Sequence, residues 1–351
     1  LNNLEPNKKS RKRWIFLVFL LSFVCICGLL FWFSPFNSQP IRNILNGRSV
    51  DQIYGEGNTL LDTLFSRIPL GIGSKDAVCG NVSQWQVLGV GIDERDSEYL
   101  YGLADVIRIV RIDFENPQIN VVALPRATLV NPPPGLDKVP APLLLNQAYF
   151  FGSPGMNYFE GSGFGAGALA ATLQSNFGVK SENYLVVDFQ AFVRFIDAIG
   201  GIEVDLPTYV DDLPSSYFPA GKQFLDGAQA LTLARVRSKY SDLARIENQT
   251  IVLKGIFQKL KNPATIVRLP KIYASLIDSF QTDASPAQIS SVFCLLSHLE
   301  SDDIHFYNPP EDLLIHDWEF IPNMNQQMEV FRWDERLINW IKQSLSNAPA
   351  P

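Results

Sequence analysis

From Trp14 to Phe33 the chain reads WIFLVFLLSFVCICGLLFWF, twenty residues without a charge. At roughly 1.5 Å rise per residue this run reaches about 30 Å, one hydrocarbon core, and predicts a membrane-spanning helix. Further along, the apolar positions change period. Trp85–Ile92, Ala104–Ile112 and Ile119–Leu124 are short runs rich in β-branched residues and read as three strands, with Asn116-Pro117 in the turn between the last two. Tyr184–Val187 reads as a strand, Phe189–Ile199 as a helix stopped by Gly200-Gly201, and Ile202–Leu206 as another strand. Asp226 suits the N-cap of a helix containing Ala228–Leu233, and Asp242 caps a longer one reaching Leu260. Residues 328–346 read as a last helix. Strand, helix and strand again predict an α/β fold: a single layered domain over 81–347 with a central mixed sheet flanked by helices. Residues 34–80 mix weak helical periodicity with Gly and Ser and read as a stalk or packing arm.

Charge orients this layout. Five cations, Lys8, Lys9, Arg11, Lys12 and Arg13, precede the apolar run, so the positive-inside rule keeps residues 1–13 cytoplasmic, places the main domain outside and makes the chain a single-pass protein of the cell membrane. A cleaved signal peptide is the competing reading, but the run exceeds a usual h-region and no A-x-A pattern follows. The chain carries a net charge of −7, and with the basic tail set aside the remainder is more acidic still. A nucleic-acid partner is excluded on that balance. His298, His305 and His316 are the only histidines and lack metal-ligand spacing, which disfavours a His-rich zinc site or a Ser-His-Asp hydrolase. Cys25 and Cys27 fall inside the apolar run; Cys79 and Cys294 remain outside, either as one disulfide or as two buried thiols.

Gly161–Gly167 (GSGFGAG) precedes an apolar helical stretch but lacks the Gly-Lys-Ser/Thr of a nucleotide loop, so it reads as a turn before a helix. Asp93 and Asp105 flank the segment between the first two strands. They are either turn formers or a pair of oxygen ligands for Mg²⁺ or Mn²⁺. Arg126 ends the third strand, Arg235 and Arg237 stand between the two capped helices, and Arg245 shares a helix stripe with Gln249, Val252 and Ile256 that is polar first and apolar later. Arginines at element ends suit a pyrophosphate, because the guanidinium fork pairs bidentately with phosphate oxygens; surface ion pairs are the alternative.

These segments resemble, in order, the motifs of the LytR-CpsA-Psr family of bacterial cell-envelope phosphotransferases over about 85–310. LGVGIDERD is similar to the family's opening strand and Gly-x-Asp-x-Arg, GLAD stands at Gly-Arg-Ser-Asp, and ALPRAT at Ile-Pro-Arg-Asp-Thr. LLNQAYFFG, VVDFQAFVRFIDAIGGIEVDLP and LDGAQALTLARVRSKYSDLARIENQ resemble the blocks that follow. The resemblance implies a membrane-anchored enzyme that moves a polyprenyl-pyrophosphate-linked glycopolymer onto peptidoglycan or another cell-wall glycan. It implies Mg²⁺ on Asp93 and Asp105, pyrophosphate on Arg95, Arg126, Arg235, Arg237, Arg245 and Gln249, and catalytic roles for Asp93, Asp105, Arg126 and Arg245. It also implies an apolar tunnel for the lipid, for which Phe189, Phe192 and Phe195 are candidates, their alternative being ordinary core aromatics. The chain departs from the family pattern at Leu103, Ala127, Leu144 and Asn248, which removes three cations and one carboxylate. A non-catalytic lipid or glycan binder and a polyprenyl-pyrophosphate hydrolase are therefore the competing functions.

Overall fold

A computed structural model describes residues 79, 83–93, 102–156, 158–211, 217–236, 242–276 and 279–346. The expected membrane helix and all of the expected stalk except Cys79, together with Arg95 and Arg237, lie outside the described residues. Among the described residues no helix is long and apolar enough to cross a membrane.

The meander β1 (Gln84–Ile92), β2 (Ala104–Asp113) and β3 (Gln118–Leu124) forms the centre of a six-stranded sheet. β1 is flanked on its other side by parallel β6 (Asn183–Val187) and then by antiparallel β11 (Phe280–Thr282), while parallel β12 (Ile304–Tyr307) follows β3. Both faces of the sheet are covered, so its central strands are apolar on both sides. On one face, Leu88, Val90 and Ile92 of β1 pack against α1 (Leu145–Gly152), α2 (Phe164–Phe177) and α9 (Glu335–Ser346). The other face, with Trp85 and Val87, meets α3 (Phe189–Ile199), α4 (Gly227–Arg235), α5 (Asp242–Leu260), α7 (Leu269–Leu276) and α8 (Pro286–Leu296). The short helix α6 (Pro263–Ile266) follows α5.

Two of the predicted helix ends form, Asp226 as a cap and Gly200 as a stop, whereas Asp242, expected as a cap, is the first residue of α5 itself, and Asp188 adds a cap on α3. Asp188 Oδ1 accepts from Ala191 N at 2.7 Å, Asp226 shares a capping box with Gln229, and Gly200 stops α3 at φ +83°. The glycine-rich run is a packing device. A Cβ on Gly165 would stand 2.7 Å from Tyr149 O, and one on Gly152 would stand 2.4 Å from Ala168 Cβ, so these glycines let α1 and α2 approach closely.

The sequence reading departs from the structure near the end of the chain. Residues 328–332 belong to β14 (Gln326–Arg332), which forms a hairpin with β13 (Ile315–Ile321), and only Glu335 onward is helical. In QQMEVFR the apolar Met328 and Val330 recur every second residue, a strand period. Three further short pairings complete the described strands: β4 (Leu129–Val130) with β5 (Leu143–Leu144), β7 (Ile202–Leu206) with β10 (Gly221–Leu225), and β8 (Val210–Asp211) with β9 (Tyr217–Phe218).

Cys79 and Cys294 form a disulfide with Cα atoms 5.7 Å apart, tying the segment before β1 to α8 across 215 residues. Closing so long a loop constrains the unfolded chain and contributes about 2–4 kcal/mol.

Candidate active site

β1 and β3 run antiparallel to β2, so the end of β1, the start of β2 and the end of β3 share one edge of the sheet. Asp93, Asp105 and Arg126 stand there, and α5 brings Asp242 and Arg245 to the same edge. The result is a closed ring of four charges. Arg126 Nη1 lies 2.6 Å from Asp105 Oδ1 and its Nε 3.4 Å from Asp242 Oδ2. Arg245 Nη1 lies 3.5 Å from Asp105 Oδ2, and its Nη2 3.3 Å from Asp242 Oδ1. Burial pulls the Arg126 guanidinium down, but the charges and hydrogen bonds of Asp105 and Asp242 outweigh it and hold the group above its ordinary value. Asp242 also sits in the first turn of α5, where the helix dipole favours a carboxylate.

Behind this ring a cavity of about 500 Å³ runs between the sheet and the helices of the second face. Asp105, Arg235, Arg245 and Gln249 contribute to its wall, and most of the remaining wall is apolar. Phe189, Phe192 and Phe195 all line it. Arg235 lies 4.7 Å over the Phe189 ring, and Phe195 meets Phe280 edge to face at 6.2 Å. On β1 the wall includes Gly89 and Gly91, positions with no side chain to occupy the space; a Cβ on Gly91 would meet Val106 at 2.9 Å.

Asp93 is engaged differently from Asp105. Its Oδ1 accepts from Leu103 N at 2.8 Å and its own N donates to Leu103 O at 3.3 Å, so it ties together the chain on either side of residues 94–101. Two aspartates at one sheet edge fit a hard divalent cation by donor type. Both Asp105 oxygens face arginines, so a cation there competes with Arg126 and Arg245. Among the described residues, the trio of Cys, His and carboxylate side chains whose ligand atoms converge is Cys79, Cys294 and His298, and its two sulfurs are joined to each other.

The residue that the sequence pattern missed is Arg108. It lies in the middle of β2, is 4% exposed and lines the cavity. Its Nη2 donates to Gln249 Oε1 at 3.1 Å and Ile246 O at 3.4 Å. In ADVIRIVRI an arginine alternating with isoleucines reads as solvent-facing. The available signal is its parity: Val106, Val110 and Ile112 share its side of the strand, and no solvent face remains. The four departures from the family pattern also have structural places. Leu144 packs with Ile321 and Val330 of the hairpin, Ala127 O accepts from Phe331 N at 3.0 Å, and Asn248 Nδ2 donates to Val236 O at 3.4 Å. Leu103 provides the backbone partner of Asp93.

The LytR_cpsA_psr family model matches residues 74–346, which contain the sheet, the charged ring and the cavity together. The chain belongs to the LytR-CpsA-Psr family. Among curated members, it is 25% identical over 207 residues to the polyisoprenyl-teichoic acid–peptidoglycan teichoic acid transferase TagV of Bacillus subtilis, a match covering 57% of this chain and 49% of that relative. It is 28% identical over 241 residues to the corresponding transferase TagU of Oceanobacillus iheyensis, covering 66% of this chain and 70% of the relative. The chain thus spans about half the length of the TagV relative and 70% of the TagU relative. The crystal structure of B. subtilis TagV superposes with a TM-score of 0.60 at 22% identity, over 77% of this chain and 100% of that one. TagT bound to LIIa-WTA superposes at 0.56 and 17% identity, over 80% and 95%. The layered fold is therefore the family's own.

Proposed function

We propose that this LytR-CpsA-Psr protein is a membrane-anchored phosphotransferase that moves a polyprenyl-pyrophosphate-linked glycopolymer onto peptidoglycan or another envelope glycan and releases polyprenyl phosphate. The observation that carries the reading is the ring of Arg126, Asp105, Arg245 and Asp242, two of whose members, Asp105 and Arg245, line a mostly apolar cavity of about 500 Å³. A ligand matching both parts has an anionic head and a long apolar tail. The relatives named teichoic acid transferases support the same substrate class.

In this reading Arg126, Arg235 and Arg245 bind the pyrophosphate oxygens, with Arg95, Arg237 and Gln249 completing the set, and the apolar wall with Phe189, Phe192 and Phe195 takes the isoprenoid. The arginines stabilise charge already on the phosphates and charge developing on the leaving group, which is the main demand of phosphoryl transfer. When bound, Mg²⁺ or Mn²⁺ held by Asp93 and Asp105 would supply Lewis-acid neutralisation of phosphate oxygens. An acceptor sugar hydroxyl forms a new P–O bond at the sugar-side phosphorus. The bond from that phosphorus to the bridging oxygen breaks, and polyprenyl phosphate leaves with the electron pair. Asp242 receives the hydroxyl proton, because Ala127 offers no carboxylate beside Arg126 and, of the two acids held against that arginine, Asp105 is assigned to the metal.

A second reading, a donor-binding protein without turnover, is favoured by Ala127 and by Leu144, which stands where the family has a lysine and is buried in an apolar cluster. The full chain in detergent, given a polyprenyl-pyrophosphoryl oligosaccharide with and without acceptor glycan, tests the choice. Acceptor-stimulated release of polyprenyl phosphate supports the transferase. Release that ignores the acceptor indicates a hydrolase, and binding without release a binder.

A further inference from the structure

The charges along the cavity do not cancel. Among the described residues, Arg126 and Arg245 of the ring are matched by Asp105 and Asp242. Arg235 of the same wall is exposed and lies over the Phe189 ring, and Asp188 caps α3, so the buried charge left over is Arg108. Among the described residues no carboxylate lies within ion-pair distance of it, and its Nε is buried with no hydrogen-bond partner. Its remaining contacts are the carbonyls of Ile107 and Ile246 and the amide oxygen of Gln249, all uncharged. The ionised group that acts on it most is Arg245, a like charge. A buried cation in an apolar wall without a counter-anion is strongly unfavourable for a fold unless something else supplies the charge. Position says what that is. Gln249, which holds Arg108, lies one helical turn beyond Arg245 on α5, so Arg108 sits deeper in the cavity than the ring, on the side of the apolar tunnel.

We infer that Arg108 is an anion-binding residue of this cavity and that it takes the phosphate attached to the isoprenoid, while the ring takes the sugar-side phosphate. The inference rests on the proposed donor class. It assigns to Arg108 a cationic role that the sequence motifs leave unfilled at Leu103 and Asn248. Gln249 then serves as a positioning residue, its Oε1 aiming the guanidinium.

The test uses the full chain in detergent with geranyl pyrophosphate, geranyl monophosphate and geraniol as probes, and compares wild type with Arg108→Met, Arg108→Lys and Arg126→Ala in binding and thermal unfolding. Wild type should bind both phosphorylated probes well above geraniol. Arg108→Met should weaken both by about tenfold to a hundredfold, the loss of a charged hydrogen bond, and Arg108→Lys should weaken them less. Without ligand, Arg108→Met should melt at or above the wild-type temperature, because an uncompensated buried charge is gone. A structural arginine would do the reverse, and an Arg108→Met protein that melts lower yet binds both phosphorylated probes as wild type does overturns the inference. If wild type binds the phosphorylated probes and only Arg126→Ala weakens them, the inference fails while the donor reading stands. If wild type does not distinguish these probes from geraniol, both fail.

Discussion

Arg126 and Asp105, twenty-one residues apart in sequence, meet at 2.6 Å on the sheet edge, and Asp242 approaches the other side of the same guanidinium at 3.4 Å. This geometry makes Arg126 the hinge between strand and helix contributions to the site. Arg126→Ala leaves both carboxylates short of a partner. It should lower stability by about 1.5–3 kcal/mol, the scale of a hydrogen bond to a charged group. Donor turnover should fall by about 10²-fold or more, as for removal of one preorganised donor from a charge-stabilising site. Denaturant unfolding and single-turnover release measure the two effects separately.

Asp242→Asn keeps the shape of the side chain and removes its capacity to hold a proton from the acceptor. Acceptor-dependent release should fall at least tenfold while affinity for a geranyl pyrophosphate probe changes little. A fall in probe affinity equal to the fall in turnover would instead assign Asp242 to donor binding alone.

Burial, reinforced by the like charge of Arg245, lowers the Arg108 guanidinium to about 9. Its folded-state value lies below its unfolded one, so the protonated form is disfavoured by folding. The unliganded fold should gain stability as pH rises above about 9. Anion affinity should change in the opposite direction, falling through the same range as the cation is lost. Arg235, Arg245, Asp105 and Asp188 share the cavity wall with it, and Asp105 faces Arg245. Titration of geranyl pyrophosphate binding between pH 7 and 10.5 checks this, with Arg108→Met predicted to flatten the fall.

Much of this architecture is legible in the sequence. The three central strands, α3 with its Gly200-Gly201 stop, β7 and the long helix α5 follow from period and capping residues, because burial on one or both faces imposes those periods directly. The β13–β14 hairpin is not legible: its apolar positions are few and the outward side carries exposed Trp318 and Phe320, so a helical reading of 328–346 competes. The site divides in the same way. Arginines at element ends are visible as a set, whereas the ring they form depends on which carboxylate each meets across the fold. Asp242, read as a cap, proves to bridge two arginines, and Arg108 needs the knowledge that β2 is covered on both sides. The Cys79–Cys294 bridge spans 215 residues, a separation from which no proximity follows.

That bridge anchors α8, whose Ile289, Val292 and Phe293 contribute to the cavity wall. Replacing both cysteines by serine should lower stability by about 2–4 kcal/mol, read as a lower melting temperature that added reductant no longer changes. Wild type should show the same loss on reduction.

Covalent transfer leaves its mark on the acceptor product. The full chain in detergent is incubated with Mg²⁺, a polyprenyl-pyrophosphoryl oligosaccharide and a short peptidoglycan glycan strand, and the strand is then analysed by mass spectrometry. The strand should be heavier by the oligosaccharide plus one phosphodiester phosphate, a product absent with Arg126→Ala. An unmodified strand alongside intact donor, or alongside free oligosaccharide phosphate, would contradict covalent transfer.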